Sequence, residues 1–209
     1  MRVLVFGATG RVGSEIVRQA KQTGHNVTVF VRHPEKLSSE PAPSTVICGD
    51  VLDRTAVASA MASRPFDAVL NAIGTGKQAP AILVTAGTRS IISAMHVACL
   101  RRYLAVSGTA EMRTQTSLGR ITNVILRLTP VGHAIRDHDG AYALVEASGL
   151  DWTLAGCPYI RDGPAKGSYI TELTFPGGFK IIHPPDVADF LVRELADHRF
   201  SGQIVGLWY

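Results

Sequence analysis

The apolar run RVLVF passes directly into GATGRVG, and no other stretch of the chain restricts its folding as strongly. Glycines at positions 7, 10 and 13, set between a strand-like run and a segment of helical period, suit a tight βα turn whose backbone approaches an anionic group. Gly7, Thr9, Gly10, Arg11, Val12 and Gly13 are therefore expected to hold the pyrophosphate of a dinucleotide, its charge met by free amides and by the positive end of the helix dipole. Gly10 is expected to take a positive φ, which a β-branched residue would refuse. The alternative is an ordinary glycine-rich turn with no ligand.

Downstream, short runs rich in valine, isoleucine and leucine alternate with segments of helical period, the pattern of a parallel sheet covered on both faces. Strands are expected at Arg2–Phe6, Asn26–Val31, Ser44–Cys48, Ala68–Asn71, Arg102–Val106 and Asp151–Ala155. Helices are expected at Arg11–Thr23, Arg54–Ala62, Ala81–Cys99 and Ile135–Ser148. After Gly156 the segment CPYIRDGPAKGSY reads as loop, Tyr169–Leu173 and Phe179–Ile182 as a pair of short strands, and a helix at Asp186–Ala196 and a strand at Gln203–Leu207 close the chain. The fold class is α/β, a Rossmann-type doubly wound parallel sheet. Residues 1–209 form one NAD(P)-binding domain, with a small substrate-side portion from about 156. The terminal GLWY reads as a strand end docked on the core; exposed, it would be a dimer patch.

The end of the second strand bears on which dinucleotide is bound. Sheets of this kind that prefer NAD place an acid there to accept from the adenosine ribose hydroxyls. This chain reads VTVFVRHPEKL, with Arg32 in that region, Arg11 in the glycine turn and Lys36 downstream. Cations pair a 2′-phosphate that an aspartate would repel, so the expected cofactor is NADPH (NADP when oxidised). An exposed arginine that only solubilises a strand end is the alternative.

Two further strand ends, CGDVLD and NAIGTG, belong to the same site, because ligands of doubly wound sheets lie at the carboxyl ends of the strands. Asp50 and Val51 meet the adenine in this reading, although Asp50 could equally cap the next helix. Ala72, Ile73, Gly74 and Thr75 give the cofactor close backbone access. GTGK at Gly74–Lys77 has Asn71 and Gln78 where a P-loop needs Gly and Ser or Thr, which excludes triphosphate hydrolysis by that motif.

The net charge of +4 is spread along the chain, with Arg101 and Arg102 the only adjacent basic pair, so nucleic acid is not expected as a partner. Cys48, Cys99 and Cys157 lack disulfide or zinc spacing, and the histidines lack metal-ligand spacing, so no metal is expected. With no charged leader and no apolar run of about 20 residues, the expectation is a cytoplasmic protein without membrane contact, a monomer or weak homodimer acting on a small-molecule acceptor.

GATGRVG, VTVFVR, GDVLD, NAIGTG and AVSG, in that order, resemble the atypical short-chain dehydrogenase/reductases, specifically their NAD(P)H-binding, NmrA-like branch. AGTRSIISAM and DHDGAYALVEASGLDWTLAGCPYIRDGPAKGSY are similar to the flavin and biliverdin reductases of that branch. The resemblance implies NADPH-dependent hydride transfer to a flavin or tetrapyrrole-like acceptor. It implies active-site roles for Ser107 and His138 and cofactor contacts from Ser107, Pro158 and Tyr159; Tyr142 joins the catalytic candidates by its place on the helix. His138 and Tyr142 stand four apart on one helix face, where an imidazole of ordinary pKa suits proton donation near neutrality. The bland alternatives are a surface histidine in RDHDG, a packing tyrosine, and a serine that caps a turn. Tyr142 is followed by Glu146 where the YxxxK pair of ordinary short-chain dehydrogenases has lysine, which argues against alcohol oxidation by that mechanism. A non-catalytic NAD(P)H-sensing regulator is the competing function, and a nucleotide-sugar epimerase is disfavoured by the same missing lysine.

Overall fold

Strands apolar on both faces are stable only between two layers of helix, and the chain supplies a helix after nearly every strand. The computed structural model describes residues 1–74 and 82–209. The first half runs β1 (Arg2–Phe6), α1 (Arg11–Gln22), β2 (Asn26–Val31), β3 (Thr45–Cys48), α2 (Arg54–Ala62), β4 (Ala68–Asn71) and α3 (Leu83–Val97). It continues through β5 (Arg102–Gly108), β6 (Thr114–Gln115), α4 (Ser117–Arg127), α5 (Gly132–Glu146), β7 (Asp151–Cys157) and β8 (Tyr159–Ile160). The chain ends with β9 (Ile170–Glu172), β10 (Thr174–Phe175), β11 (Ile181–Ile182), α6 (Pro184–Asp197) and β12 (Gln203–Trp208).

Among the described residues the main sheet has the order β3-β2-β1-β4-β5-β7-β12-β9. Every neighbouring pair in it is parallel except β12 and β9. This is the doubly wound Rossmann-type arrangement the sequence implies. Val12, Ile16, Val17 and Ala20 bury one stripe of α1 against the sheet beside α6, whose Val187, Leu191 and Leu195 fill the same layer. Ile91 and Met95 of α3 and Val145 of α5 pack the opposite face with Leu4, Phe6 and Tyr103. Since β1 lies between β2 and β4, the chain leaves it toward opposite sides of the sheet. The carboxyl ends of β1 and β4 therefore open a crevice at this switch point.

Four expectations change. The stretch before α5 carries α4, whose pattern is inverted: Gly119 and Asn123 face inward while Leu118, Ile121, Val124 and Ile125 are exposed. Tyr169–Leu173 and Phe179–Ile182 do not pair with each other. The first lies antiparallel on β12, whose second edge is open once β7 pairs its other side, and the second lies parallel to β8. The supposed loop after Gly156 continues β7 to Cys157 and then forms β8. Helix α5 begins at Gly132, ahead of the expected Ile135; the expected start of α3 at Ala81 lies outside the described residues. The C-terminal Leu207 and Trp208 are buried, Trp208 edge-on to Phe175. No helix among the described residues is long and apolar enough to cross a membrane.

Candidate functional site

The glycine turn is shaped by two close approaches. Gly7 has φ +76°, and a Cβ there would lie 2.5 Å from the Ala72 carbonyl carbon, so the residue must be glycine for β4 to reach the turn. Gly13 packs α1 onto the turn so tightly that its Cβ would stand 2.1 Å from the Gly7 oxygen. Gly10 does not have the expected positive φ: it is extended at φ −83°, serving as N-cap, and the strain-relieving role belongs to Gly7. No side chain caps α1; its first helical bond runs from Ser14 N–H to the Gly10 oxygen. The amides of Arg11, Val12 and Gly13 thus have no intrahelical acceptor, and the turn fits a pyrophosphate.

Gly7, Thr9, Gly10, Arg32, Val51, Ala72, Ile73 and Gly74 line one open cleft together with Phe6, Phe30 and Val31. Asn71 fixes its far wall: its amide donates to the Tyr103 hydroxyl at 2.8 Å while its oxygen accepts the Ile73 N–H at 3.0 Å. Val12 and Gly13 are buried under the turn and contribute backbone and packing. Thr75, and with it Lys77 and Gln78, lies outside the described residues.

At the outer end of the cleft the Arg32 guanidinium stands 3.9 Å from Asp50, both half-exposed. Asp50 does not cap α2; Asp53 does, accepting from Thr55 and Ala56, while Asp50 closes its own turn by accepting the Leu52 N–H at 2.9 Å. Arg11 turns away from Arg32, pairing with Asp162 at 3.1 Å and donating to the Ile160 oxygen. Lys36 ends a short 3-10 turn, Pro34–Lys36, and is exposed outside the cleft lining. Among the described residues, Arg32 is therefore the cation in the cleft lining.

Ser107, His138 and Tyr142 come together around a second, smaller cavity beyond β4 and α3, which Asn71, Val84 and Thr88 also line. Ser107 lies within β5, not after it. His138 is half-buried, because its neighbour Asp137 is drawn inside to accept the Val84 and Thr85 amides at 2.8 Å, capping α3 from α5. Burial lowers the His138 pKa, outweighing Asp137 and Asp139, so the imidazole is neutral where an ordinary one begins to charge. The Tyr142 hydroxyl accepts from Arg113 Nε at 3.0 Å and donates to Glu146 Oε1 at 3.0 Å. Burial first, with a contribution from Glu146, raises its pKa, opposite to what a proton-transferring tyrosine needs.

One group escaped sequence reading. Glu111 is 6% exposed, its Oε2 accepting the Ser107 hydroxyl at 3.3 Å and its Oε1 buried without a partner. Desolvation raises its carboxyl to about 7, against smaller opposing contributions from the Ser107 hydroxyl and the Gly108 and Glu111 amides. The sequence gives no signal beyond an acid four residues after Ser107. Pro158 joins β7 to β8, Tyr159 opens β8, and neither lines a cavity; Tyr159 is exposed against Phe179, ring centroids 5.9 Å apart.

A family model described as NAD(P)H-binding matches residues 7–198. The chain is 39% identical over 117 residues to a 3-diazoavenalumate denitrifying reductase of a Streptomyces species, a match covering 51% of this chain and 38% of that protein. It spans about half or less of the length of the curated relatives it matches. Among solved structures, ChuY, an anaerobillin reductase of Escherichia coli O157:H7, aligns over 100% of this chain and 97% of its own with TM-score 0.79 at 20% identity. A short-chain dehydrogenase/reductase of Veillonella parvula, solved in complex with NADP, aligns over 100% of this chain and 94% of its own with TM-score 0.76 at 17% identity. At these identities the structural likeness is one of fold.

Proposed function

The chain belongs to the NAD(P)H-binding family, and from that premise we propose that it is an NADPH-dependent reductase delivering hydride to a flavin or tetrapyrrole-like acceptor. The observation that carries the reading is the pairing of two cavities along one sheet edge. The first, an open cleft beside the glycine turn, offers close backbone approach and free amides to a dinucleotide; the second, a small void lined by Ser107 and His138, begins where β4 and β5 end. The reductase activities named for the Streptomyces relative and for ChuY support it.

When bound, the reduced nicotinamide supplies a hydride. The chain's residues do the rest. Uncapped amides of α1 bind the pyrophosphate, Ala72 to Gly74 admit the cofactor along the backbone, and Arg32 pairs the 2′-phosphate in place of Asp50. Ser107 donates to the acceptor or to the nicotinamide amide. His138, neutral, orients the acceptor through a ring N–H.

The test is NADPH oxidation, followed at the nicotinamide absorbance, against a panel of flavins, quinones and tetrapyrroles, with calorimetric titration of both cofactors. NADPH should bind at least about tenfold more tightly than NADH, a margin of about 1.4 kcal/mol within reach of one charge-assisted hydrogen bond, and Arg32→Ala should abolish it. Equal affinities refute the NADPH assignment. An NAD(P)H-sensing regulator is the second reading, favoured by the exposed apolar face of α4; saturating NADPH with no oxidation by any acceptor would establish it over the reductase.

A further inference from the structure

A reduction by hydride leaves the acceptor one proton short, and neither proton donor expected from the sequence is well suited to give it. Burial shifts His138 toward its neutral form, and the Tyr142 hydroxyl, its pKa raised and its proton engaged by Glu146, is a weaker acid than an ordinary phenol. The acid that remains is Glu111, on the loop that leaves β5, with its carboxyl folded back onto Ser107 at 3.3 Å. Ser107 lines the second cavity; Glu111 does not, so the serine hydroxyl stands between the acid and the cavity. Glu111 Oε1 is buried with no hydrogen-bond partner, a costly arrangement for a carboxylate and a tolerable one for a carboxylic acid. The charged groups that face it are Asp139 of α5, which disfavours its ionisation, and Arg127 of α4, whose charge is taken up by Asp139 at 2.8 Å.

Resting on the reductase reading, we propose that Glu111 is the proton source of the reduction, passing its proton through the Ser107 hydroxyl to an acceptor whose reacting end lies at the mouth of the second cavity. Hydride from the reduced nicotinamide forms the new bond at one end of the acceptor's conjugated system, and the displaced electron pair settles on a nitrogen or oxygen at the other end. That atom takes the Ser107 Oγ proton while Oγ takes the proton of Glu111. The nicotinamide ends oxidised, the acceptor has gained a hydride and a proton, and Glu111 ends as a carboxylate that water reprotonates before the next turnover. Glu111 touches no reacting atom itself; it acts through Ser107.

The experiment compares wild type, Glu111→Gln and Glu111→Asp, each first shown folded by circular dichroism. In the protein without cofactor, infrared difference spectra should show a protonated carboxyl band that titrates near 7 and is missing from Glu111→Gln. In turnover, Glu111→Gln should lower kcat by at least about tenfold with the NADPH Kd unchanged, and should lose the fall in kcat that wild type shows above about pH 7. Glu111→Asp should recover part of kcat and the same alkaline limb. A folded Glu111→Gln with wild-type kcat and limb overturns the proton role and leaves the reductase standing, as does a carboxyl band titrating in the ordinary carboxylate range. A wild type whose NADPH is oxidised by none of the flavins, quinones or tetrapyrroles overturns both.

Discussion

The burial of Glu111 has a consequence for stability that needs neither cofactor nor acceptor. Its carboxyl is raised from 4.5 to about 7 because folding strips water from the charged form. The folded state then holds the proton more tightly than the unfolded chain. This group's contribution to stability is therefore complete below about 4.5 and is lost as pH rises through about 7. The gap corresponds to roughly 3 kcal/mol once pH is well above the folded value, and about 2–3 kcal/mol of it falls between about pH 5 and about pH 8. His25 and His138, whose pKa values are lowered chiefly by burial, act in the opposite sense, losing their contribution as pH falls. They are common to wild type and Glu111→Gln, so the difference between the two chains isolates Glu111. Urea unfolding followed by circular dichroism at several pH values measures that difference. The glutamine variant should gain on wild type by about 2–3 kcal/mol from about pH 5 to about pH 8. A difference that is flat, or that grows toward acid, refutes the buried protonated acid.

Other outcomes follow from the same structure. Gly10→Val should leave a folded chain that has lost dinucleotide affinity, because φ at this position is ordinary while the side chain enters the pyrophosphate approach; undiminished affinity by calorimetry would remove the turn as the phosphate site. Gly13→Ala should instead damage the fold, visible as a lowered thermal midpoint, since its Cβ would sit 2.1 Å from backbone. His138→Ala should lower turnover by about tenfold or more while hardly altering NADPH affinity; stopped-flow and calorimetry together decide it, and a loss confined to binding would place the imidazole on the cofactor. Arg102→Met should cost about 3–5 kcal/mol by leaving Glu194 buried without its cation, and Arg102→Met with Glu194→Leu should recover most of it in the same unfolding assay.

The central parallel strands were legible because they are buried on both faces and write continuous apolar runs; β1, β2 and β4 have the expected bounds. The glycine turn was legible because Gly7 and Gly13 stand where a side chain would strike backbone. Much of what lies beyond β5 was not. Helix α4 buries a glycine and an asparagine and exposes its leucine and isoleucines, so its period points away from the core. RDHDG looks like a solvated run, yet Asp137 is consumed as the cap of α3 and Asp139 pairs with Arg127, contacts spanning 53 and 12 residues of sequence. Glu111 was invisible for the same reason: what makes it unusual is the absence of water around it, which only the packed loop creates.

The substitution at the lysine position then takes on a structural meaning. A lysine at 146 would stabilise the ionised form of the Tyr142 hydroxyl and make it a base. Glu146 instead accepts that hydroxyl's proton in a hydrogen bond, and Arg113 completes the triangle from the β5–α4 loop, at 3.0 Å to the hydroxyl and 2.6 Å to Glu146. The triangle ties the loop that bears Glu111 to the helix that bears His138. The same exchange that withdraws tyrosine from proton transfer thus braces the two segments on either side of the second cavity, and an acid is available only from the loop side, through Ser107. Tyr142, its proton held by Glu146, is therefore not the ionised tyrosine base that alcohol oxidation by a tyrosine–lysine pair requires.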